Sequence, residues 1–329
     1  MNERVLITGG TGLIGHALAR RLAGRAGHVT VTAADLPEPP VPSGGGPLSE
    51  RIMRLRRERV AEFARVVPVD VRAAEAVSAL VQEVDPTVVV HLAAISVADD
   101  AARDDRLTTD VNVGGLRNVL DALAGRGTRL VFVSSSFVYG DFETPVIDER
   151  HPLRPRGPYG VTKFQGEQMV RNASALGGMP SVVIRPSAVY GPYDSNRRIV
   201  QKLLEEAREG TPSTLRGADG SLDFTYVDDL AAGLELAAFH PKAPGRTFNL
   251  TAGKGRSLRE LTEILRRHFP GHTAYEAPAD PTRPRRGTLD IGHAQMVLGY
   301  APAWDLESGV ESYAAFYREL ENSRTGEAA

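Results

Sequence analysis

Cysteine is absent from the 329-residue chain, which excludes disulfides, thiolate-bound metals and cysteine nucleophiles. An excess of one charge is also missing, because 39 Lys and Arg stand against 41 Asp and Glu. With no basic stripe or long single-sign block, nucleic acid and membrane surfaces are not expected as partners. No apolar run approaches a membrane span, and no charged leader precedes an apolar signal segment. These absences predict a globular protein of the cytoplasm, without a metal site.

Glycine is plentiful, and three glycines stand at regular spacing near the start, in the stretch VLITGGTGLIG. The preceding apolar residues predict a buried strand, and the residues that follow have helical periodicity. A glycine turn between a strand and a helix lets the backbone approach a pyrophosphate, whose charge the helix N-terminus favours. An ordinary glycine-rich turn remains the alternative. The cofactor-binding residues predicted here are Gly9, Gly12, Leu13, Ile14 and Gly15.

An acidic residue follows at the distance that a dinucleotide fold requires. Asp35 ends the second predicted strand, HVTVTAADL, 20 residues (35 minus 15) beyond Gly15. A carboxylate there accepts hydrogen bonds from the adenosine ribose and repels a 2′-phosphate, so it favours NAD over NADP. An aspartate that merely ends a strand and begins a turn is the alternative interpretation.

Strands and helices alternate along the first half of the chain. After a Pro- and Gly-rich loop at 37–47, an Arg-rich helix with a solvated face is expected, and a cover over the cofactor or a partner surface is the alternative. A third strand, ending at Asp70, follows. The run PTVVVHLAAIS is typical of a strand buried on both faces of a parallel sheet, with His91 as a packed residue. The pattern predicts an α/β fold with a Rossmann-like, doubly wound parallel sheet.

Two further segments carry candidate chemistry. The strand RLVFVSSS ends in three serines, Ser134 to Ser136, and the carboxyl ends of parallel strands are where ligands bind. Tyr159 and Lys163 stand four residues apart on a predicted helix and therefore share one face. A solvated Tyr/Lys pair is the alternative when such a pair occurs in isolation.

Together these motifs resemble the extended short-chain dehydrogenase/reductases, in the branch of nucleotide-sugar epimerases and dehydratases. The resemblance includes the UDP-sugar 4-epimerases and the UDP-glucuronate 4-epimerases. It extends in family order over almost the whole chain, through TGGTGLIG, Asp35, Asp70, HLAA at 91–94, SSSFVYGD at 134–141, YGVTK at 159–163, RPSAVYGP at 185–192 and DFTYVDDLA at 223–231.

The resemblance implies that Tyr159 is the catalytic base, that Lys163 is its partner and that the hydroxyl of Ser135 binds the reacting oxygen. Ser134 and Ser136 remain possible if the strand is shifted. A tyrosine acts as a base near neutral pH only if positive charge stabilises its phenolate. The resemblance also adds cofactor contacts, with Tyr159 and Lys163 among them; the others are Asp70, Val71, Leu92, Ala93, Ala94 and Asn112.

Substrate contacts are expected from the serines, Tyr159 and several arginines whose planar forks match oxyanions. The full expected set is Ser135, Ser136, Tyr159, Arg185, Asn196, Arg197, Arg198, Arg216 and Arg283. Leu222 departs from the family pattern, in which an arginine at this position holds the nucleotide diphosphate. Either another residue supplies that charge, with Arg216 and Arg283 as the candidates, or the substrate differs. The Pro-rich loop that holds Arg283 also contains Arg285 and Arg286.

These residues imply an NAD-dependent enzyme that epimerises a nucleotide sugar, at C4 of a UDP-sugar or UDP-sugar acid. A dehydratase of the branch would carry Asp-Glu after the catalytic hydroxyl, where this chain has Ser136 and Phe137. A net sugar or carbonyl oxidoreductase, a dehydratase and a non-catalytic NAD-binding regulatory protein stay open as alternatives.

The resemblance also implies a division of the chain and an oligomeric state. Residues 1–190 would form the NAD-binding domain, with 224–251 packing back onto it. Residues 191–223 and 252–329 would form a smaller, discontinuous substrate lobe. A homodimer through the helices at 111–124 and 159–176 is expected, and the last residues, 321–329, are expected to be disordered.

Overall fold

A parallel sheet of seven strands forms the centre of the computed structural model, which describes residues 3–25, 27–42 and 45–326. Its strand order is β12-β7-β5-β4-β1-β2-β3, and every neighbouring pair is parallel. Helices cover both faces of this sheet, so the predicted doubly wound α/β fold is confirmed. Within the described ranges, no helix is both long and apolar enough to cross a membrane.

The strands are mostly short. In chain order they are β1 (Glu3–Thr8), β2 (Val29–Asp35), β3 (Arg65–Pro68), β4 (Val88–His91), β5 (Arg129–Val133), β6 (Val146–Ile147), β7 (Ser181–Arg185), β8 (Val189–Tyr190), β9 (Ser213–Arg216), β10 (Ser221–Asp223), β11 (Thr225–Tyr226), β12 (Arg246–Asn249), β13 (Gly255–Ser257), β14 (Ala274–Ala277) and β15 (Thr288–Leu289).

The helices differ more in length. They are α1 (Leu13–Ala23), α2 (Pro47–Phe63), α3 (Ala74–Val84), α4 (Ala98–Arg103), α5 (Asp105–Thr109), α6 (Gly115–Leu123), α7 (Gly157–Gly177), α8 (Ile199–Glu209), α9 (Val227–Phe239), α10 (Leu258–His268), α11 (Gly292–Leu298) and α12 (Leu306–Gly326). A π-helical turn, Asp110–Gly114, joins α5 to α6, and a 3₁₀ turn, Ser136–Tyr139, follows β5.

The central strands are continuous apolar runs because helices bury both of their faces. All four residues of β4 are buried, as are all five of β7. One hydrophobic cluster joins the sheet to α1 and α9, and a second joins its other face to α3 and α6. Burial on two sides removes the alternation of polar and apolar residues that a half-exposed strand would show.

The strand order reverses beside β1, which pairs with β2 on one side and with β4 on the other. The connections that leave β1 and β4 therefore diverge and open a crevice at the carboxyl ends of these strands. Open parallel sheets bind their ligands at such a switch point.

A third hydrophobic cluster lies outside the sheet, with members from α8, α10 and α12. Helix α10 begins with a capping box, in which Ser257 and Glu260 each satisfy a backbone N–H of the other. Ile52 of α2 is a fully buried member of this cluster, although α2 follows β2 in the chain. Helix α2 thus links the N-terminal part of the chain to the C-terminal helices.

Three expectations need correction. The face of α2 is not simply solvated, because Arg56 and Val60 are buried together with Ile52. Strand β3 ends at Pro68, so Asp70 lies in the connection that follows. Helix α12 continues to Gly326, so the disorder expected from residue 321 is wrong as far as 326. The remainder of that tail, 327–329, and residues 43–44 of the predicted loop lie outside the described residues.

Candidate active site

A cavity of about 690 Å³ opens at the switch point. Its lining brings together most of the residues singled out in the sequence. Those in the lining are Gly9, Gly12, Leu13, Ile14, Gly15, Asp35, Asp70, Val71, Leu92, Ala93, Ala94, Ser135, Ser136, Tyr159, Lys163, Asn196 and Arg198. The volume is in the range of cofactor and ligand sites.

The glycine turn lies at one end of the cavity with its backbone closely packed. Gly9 has φ +69°, and a Cβ there would lie 2.7 Å from the backbone nitrogen of Ala93. A Cβ on Gly15 would lie 2.5 Å from the carbonyl oxygen of Gly10. No side chain of the described residues caps the N-terminus of α1, where Gly12 is the N-cap. The first-turn amides thus remain available to an anion, as a pyrophosphate site requires.

Asp35 closes the same turn from the end of β2. Its Oδ2 accepts hydrogen bonds from the backbone N–H of Thr11 at 2.9 Å and from the Thr11 hydroxyl at 2.7 Å. Its Oδ1 accepts one from the backbone of Leu36 at 2.9 Å. Asp70, also in the lining, forms an ion pair with Arg72, and hydrogen bonds from Arg72 lower the pKa of its carboxyl. Both carboxylates therefore face the cavity.

Ser135, Tyr159 and Lys163 come together from β5 and α7. Ser135 follows directly on Ser134 at the end of β5, and its Oγ accepts a hydrogen bond from the backbone of Phe137 at 3.2 Å. Tyr159 is half-buried in the first turn of α7 and lines the cavity together with Ser135. Lys163, one turn further along the helix, donates to the carbonyl of Val133 at 2.9 Å. The tyrosine and serine hydroxyls can therefore contact one substrate oxygen.

The electrostatics around Tyr159 involve two arginines. Burial raises the pKa of the Tyr159 phenol, whereas the charge of Arg198, the hydrogen bond from Ser135 and the charge of Arg286 act to lower it. Burial also lowers the pKa of Lys163 to about 8. The two guanidinium groups thus add to the positive charge that a phenolate at this position needs.

Asn112 does not line the cavity, contrary to its expected contact with the cofactor. Its Oδ1 accepts a hydrogen bond from the backbone of Ile95 at 2.8 Å, and its Nδ2 donates to the Ile95 carbonyl and to Thr162. The π-helical turn directs this amide against the segment after β4. Asn112 therefore positions the cavity wall, because both of its polar groups are occupied by protein atoms.

Arg185 is a second correction. It is 1% exposed and forms a two-fold hydrogen-bonded ion pair with Glu167, while its Nη1 donates to Tyr139 and to the carbonyl of Glu149. A guanidinium with all its arms occupied in the core has none left for a substrate. Arg185 thus joins β7 to α7 instead of contacting a ligand.

Three other arginines expected to contact substrate also lie outside the cavity lining. Arg197 pairs with Glu205 of α8. Arg283 is exposed and pairs with Asp99. Arg216 is exposed at the end of β9. Arg283 and Arg216 were the expected replacements for an arginine at Leu222, and neither reaches the cavity.

Two residues close to the cavity were not assigned from the sequence. Arg56 of α2 lines it and donates from Nε to the carbonyl of Thr11 at 2.6 Å. Arg286 donates to the hydroxyls of Ser136 and Ser187. Arg286 stood out only as one arginine of a Pro-rich loop, and nothing in the pattern of α2 distinguished Arg56 from its neighbours.

Comparison with protein families gives one match over most of the chain. The model of the family described as "NAD dependent epimerase/dehydratase family" matches residues 5–251. A UDP-glucose 4-epimerase of Mycolicibacterium smegmatis is 30% identical over 328 residues, which cover 96% of this chain and 98% of the relative. A dTDP-glucose 4,6-dehydratase of Streptomyces griseus is 29% identical over 325 residues, with 97% and 95% covered. Relatives with either activity are thus about equally similar.

Solved structures give the same result for the fold. A UDP-glucuronic acid 4-epimerase of Bacillus cereus, in complex with UDP-glucuronic acid and NAD, superposes with a TM-score of 0.85 at 25% identity. The match covers 96% of this chain and 99% of that protein. The architecture is therefore shared over the whole length of both chains.

Proposed function

The chain belongs to the NAD dependent epimerase/dehydratase family, and from this premise we propose that it epimerises a nucleotide sugar. The reaction is inversion at C4 of a UDP-sugar or UDP-sugar acid, through a transient ketone made with a retained NAD. The observation that carries the proposal is that Ser135, Tyr159, Lys163 and the glycine turn line one cavity.

The residues of the cavity fit NAD, the cofactor of the family. Gly9 and Gly15 let the turn pack closely, because a Cβ at these positions would meet protein backbone at 2.7 and 2.5 Å, and the uncapped N-terminus of α1 is available to the pyrophosphate. Asp35 would hold the adenosine ribose and Lys163 the nicotinamide ribose. When bound, NAD supplies a hydride acceptor that can return the hydride to the same carbon.

Tyr159, as the phenolate, takes the proton of the substrate C4 hydroxyl, and Ser135 donates a hydrogen bond to the oxygen as its charge changes. The charges of Arg198 and Arg286 favour the phenolate against the effect of burial. Return of the proton from Tyr159 after the ketone has turned over completes the inversion. General acid–base catalysis of this kind contributes about 10²- to 10⁴-fold.

The segment after the catalytic hydroxyl favours epimerisation over dehydration. Loss of water from the ketone needs a carbon base and an acid for the leaving hydroxyl, and Ser136 and Phe137 supply neither. Among the described residues that line the cavity, the carboxylates are Asp35, Asp70, Asp100 and Asp104, all outside the 134–137 segment. Because a dTDP-glucose 4,6-dehydratase is among the relatives, dehydration is the alternative that the experiment has to exclude.

The test is product analysis in deuterium oxide. Purified enzyme is incubated with UDP-glucose, UDP-galactose, UDP-glucuronate, UDP-galacturonate or dTDP-glucose, and products are separated and examined by NMR. We expect the C4 epimer of a UDP-sugar, without deuterium on carbon, because the hydride returns without exchange with solvent. Deuterium in a 6-deoxy product would show a dehydratase, and NADH formed in proportion to product would show a net oxidoreductase.

Tyr159→Phe separates catalysis from a regulatory role. We expect turnover to fall at least about 1,000-fold because the base is removed, while NAD remains bound. Unchanged turnover in this variant would contradict the mechanism. No turnover by the wild-type enzyme of any sugar in the panel would contradict the proposed function.

We also propose the division of the chain set out above, with residues 1–190 and 224–251 as the NAD-binding domain and 191–223 and 252–329 as the substrate lobe. Support comes from α9, which packs against α1, and from the separate cluster of α8, α10 and α12. Hydrogen exchange tests it: NAD should protect the first set of residues, and UDP the second.

A cytoplasmic homodimer is a further proposal. Exposed apolar side chains on α5 and α7, among them Leu107, Val161 and Leu176, support a contact that involves α7. Sedimentation of the purified protein should give the mass of two chains, and Val161→Glu should give one. Cell fractionation tests the location.

A further inference from the structure

Arg286 lies beside the proposed reaction centre, in the loop between β14 and β15. Its Nη2 donates hydrogen bonds to the hydroxyls of Ser136 and Ser187, the second at 3.0 Å. Both serines line the cavity. The guanidinium carbon lies 4.8 Å from the centre of the Phe137 ring and 5.7 Å from that of Phe142. Hydrogen bonds and aromatic packing together define its orientation.

Arg286 forms no ion pair with any of the described residues, and its Nε is buried without an acceptor. Burial lowers the pKa of Arg286 to about 10, although the charges of Tyr159 and Asp223 act in the opposite direction. The group is therefore still protonated at neutral pH. A largely buried cation without a partner is unfavourable, so this one is suited to an anion that arrives with the ligand.

The position of Arg286 relative to Tyr159 indicates which part of a ligand Arg286 would contact. The Tyr159 ring packs edge-on against Phe137, with centroids 5.4 Å apart, and Arg286 lies over the same Phe137 ring. Its hydrogen-bond partner Ser136 directly follows Ser135. Because Ser135 and Tyr159 mark the carbon to be oxidised, an anion on Arg286 belongs to a neighbouring atom of the sugar and not to a distant diphosphate.

We propose that Arg286 is a specificity-determining residue that selects a sugar acid, by binding a carboxylate on the ring carbon next to the one oxidised. The proposal rests on the proposed function, which supplies the sugar and the oxidised carbon. The N–H groups of a guanidinium match a carboxylate, and Nη1 of Arg286 has no hydrogen-bond partner among the described residues. The hydroxyls of Ser136 and Ser187 hold the guanidinium in place from its Nη2.

The test compares substrates that differ in this group alone. UDP-glucuronate carries the carboxylate, UDP-glucose carries a hydroxymethyl group and UDP-xylose carries neither. We expect wild-type enzyme to have the highest kcat/KM with UDP-glucuronate. Arg286→Gln should reduce the ratio of kcat/KM for UDP-glucuronate to that for UDP-glucose by roughly 100-fold, mainly through KM. Arg286→Lys, which keeps the charge without the fork, should lie between.

Arg285→Gln is the matched control, because Arg285 is the adjacent residue of the same loop and its side chain is exposed. It removes the same charge and should leave the substrate ratio as in wild type. Binding of UDP-glucuronate and UDP-glucose to the NAD-loaded protein, measured by calorimetry, gives a second readout that does not depend on turnover. Arg286→Gln should weaken binding of UDP-glucuronate alone.

The outcomes separate this proposal from the function on which it rests. If the enzyme epimerises UDP-glucose and does not discriminate in favour of UDP-glucuronate, the role of Arg286 is wrong while the epimerase function stands. An equal loss for all three sugars would also overturn it, because Arg286 would then act only through its charge on Tyr159 and would not select the acid. If no sugar is epimerised and calorimetry shows no preference for the acid, both proposals fail.

Discussion

The phenol of Tyr159 is subject to opposing influences on its pKa. Burial in the first turn of α7 raises it, and Arg198, Ser135 and Arg286 counteract that effect. The short distance in sequence from Tyr159 to Lys163 was enough to place them on one face. The two arginines come from parts of the chain far from α7, so their approach to the phenol depends on the folded structure.

Replacement of Arg198 should displace the pH dependence of turnover. The active form of Tyr159 is the phenolate, so a higher pKa leaves less of it at a given pH. Arg198→Gln removes a cation that lowers the pKa of Tyr159, and the acid limb of the kcat profile should therefore move to higher pH. The control is Lys202→Gln, because Lys202 lies on α8, which begins directly after Arg198, and pairs with Glu206 at the surface. This variant should leave the acid limb of the kcat profile at its wild-type pH.

At the scale of elements, α2 is the part of the fold that its sequence described least well. Its many charges predicted a solvated face, yet Arg56 is 6% exposed. The guanidinium donates to the carbonyls of Thr11 and Tyr193 and to the hydroxyl of Ser195. Arg56 thus joins the glycine turn to the loop after β8, where Tyr193 has φ +69°.

Arg56→Met should therefore destabilise the protein and weaken the cofactor site together. It leaves buried carbonyl oxygens without donors, which should lower the free energy of unfolding by roughly 3 kcal/mol. The affinity for NAD should fall as well, since Thr11 belongs to the glycine turn. Arg59→Met removes an exposed arginine one turn later on α2 and should change stability by less than about 0.5 kcal/mol. Equal effects of the two variants in denaturant unfolding and NAD titration would contradict this role.

The junction of β1 and α1 offers a second test at this scale. A methyl group on Gly15 would meet the backbone of Gly10 at 2.5 Å, so Gly15→Ala has to displace the turn. We expect a loss of about 1–3 kcal/mol in stability and at least a tenfold weaker affinity for NAD. Gly114 has open space around it and a helical φ of −62°, so Gly114→Ala should be neutral or stabilising by up to about 1 kcal/mol. If Gly15→Ala bound NAD as tightly as the wild-type protein, the role of the glycine turn in binding the pyrophosphate would be refuted.

For the whole molecule, local pattern predicted the architecture, and most of the residues that it assigned to the cofactor line one cavity. Gly9, Asp35 and Lys163 belong to short motifs at element ends, and the parallel sheet collects such ends at one edge. The partners of the arginines were not predicted by local pattern. Arg185 pairs with Glu167 and Arg283 with Asp99, and Arg286 reaches serines 150 and 99 residues earlier. A long flexible side chain binds whichever acceptor the fold brings near. The spacing and periodicity of residues in the sequence therefore do not predict its partner.

Two histidines buried among apolar neighbours make the stability of the whole chain sensitive to acid. Burial lowers the pKa of His16, which packs against Tyr193, to about 3. Burial also lowers the pKa of His91, which is hydrogen-bonded to Thr8 at 2.8 Å, to about 3. Asp223 acts in the opposite sense, since burial raises the pKa of its carboxyl to about 6.

The free energy of unfolding should fall as pH decreases from about 6.5 to 4. Each histidine takes up a proton in the unfolded chain, near its ordinary pKa of about 6.5, but not in the folded one until about pH 3. Asp223 is protonated in the folded chain first and offsets part of this effect. Each histidine contributes about 1.4 kcal/mol per pH unit where only the unfolded chain binds its proton. His16→Gln should therefore reduce the slope by about 1.4 kcal/mol per pH unit, whereas exposed His28→Gln should leave it as in wild type. Urea unfolding at half-unit pH steps measures the slope independently of each variant's absolute stability. A His16→Gln slope as steep as that of wild type would show that His16 is protonated in the folded protein.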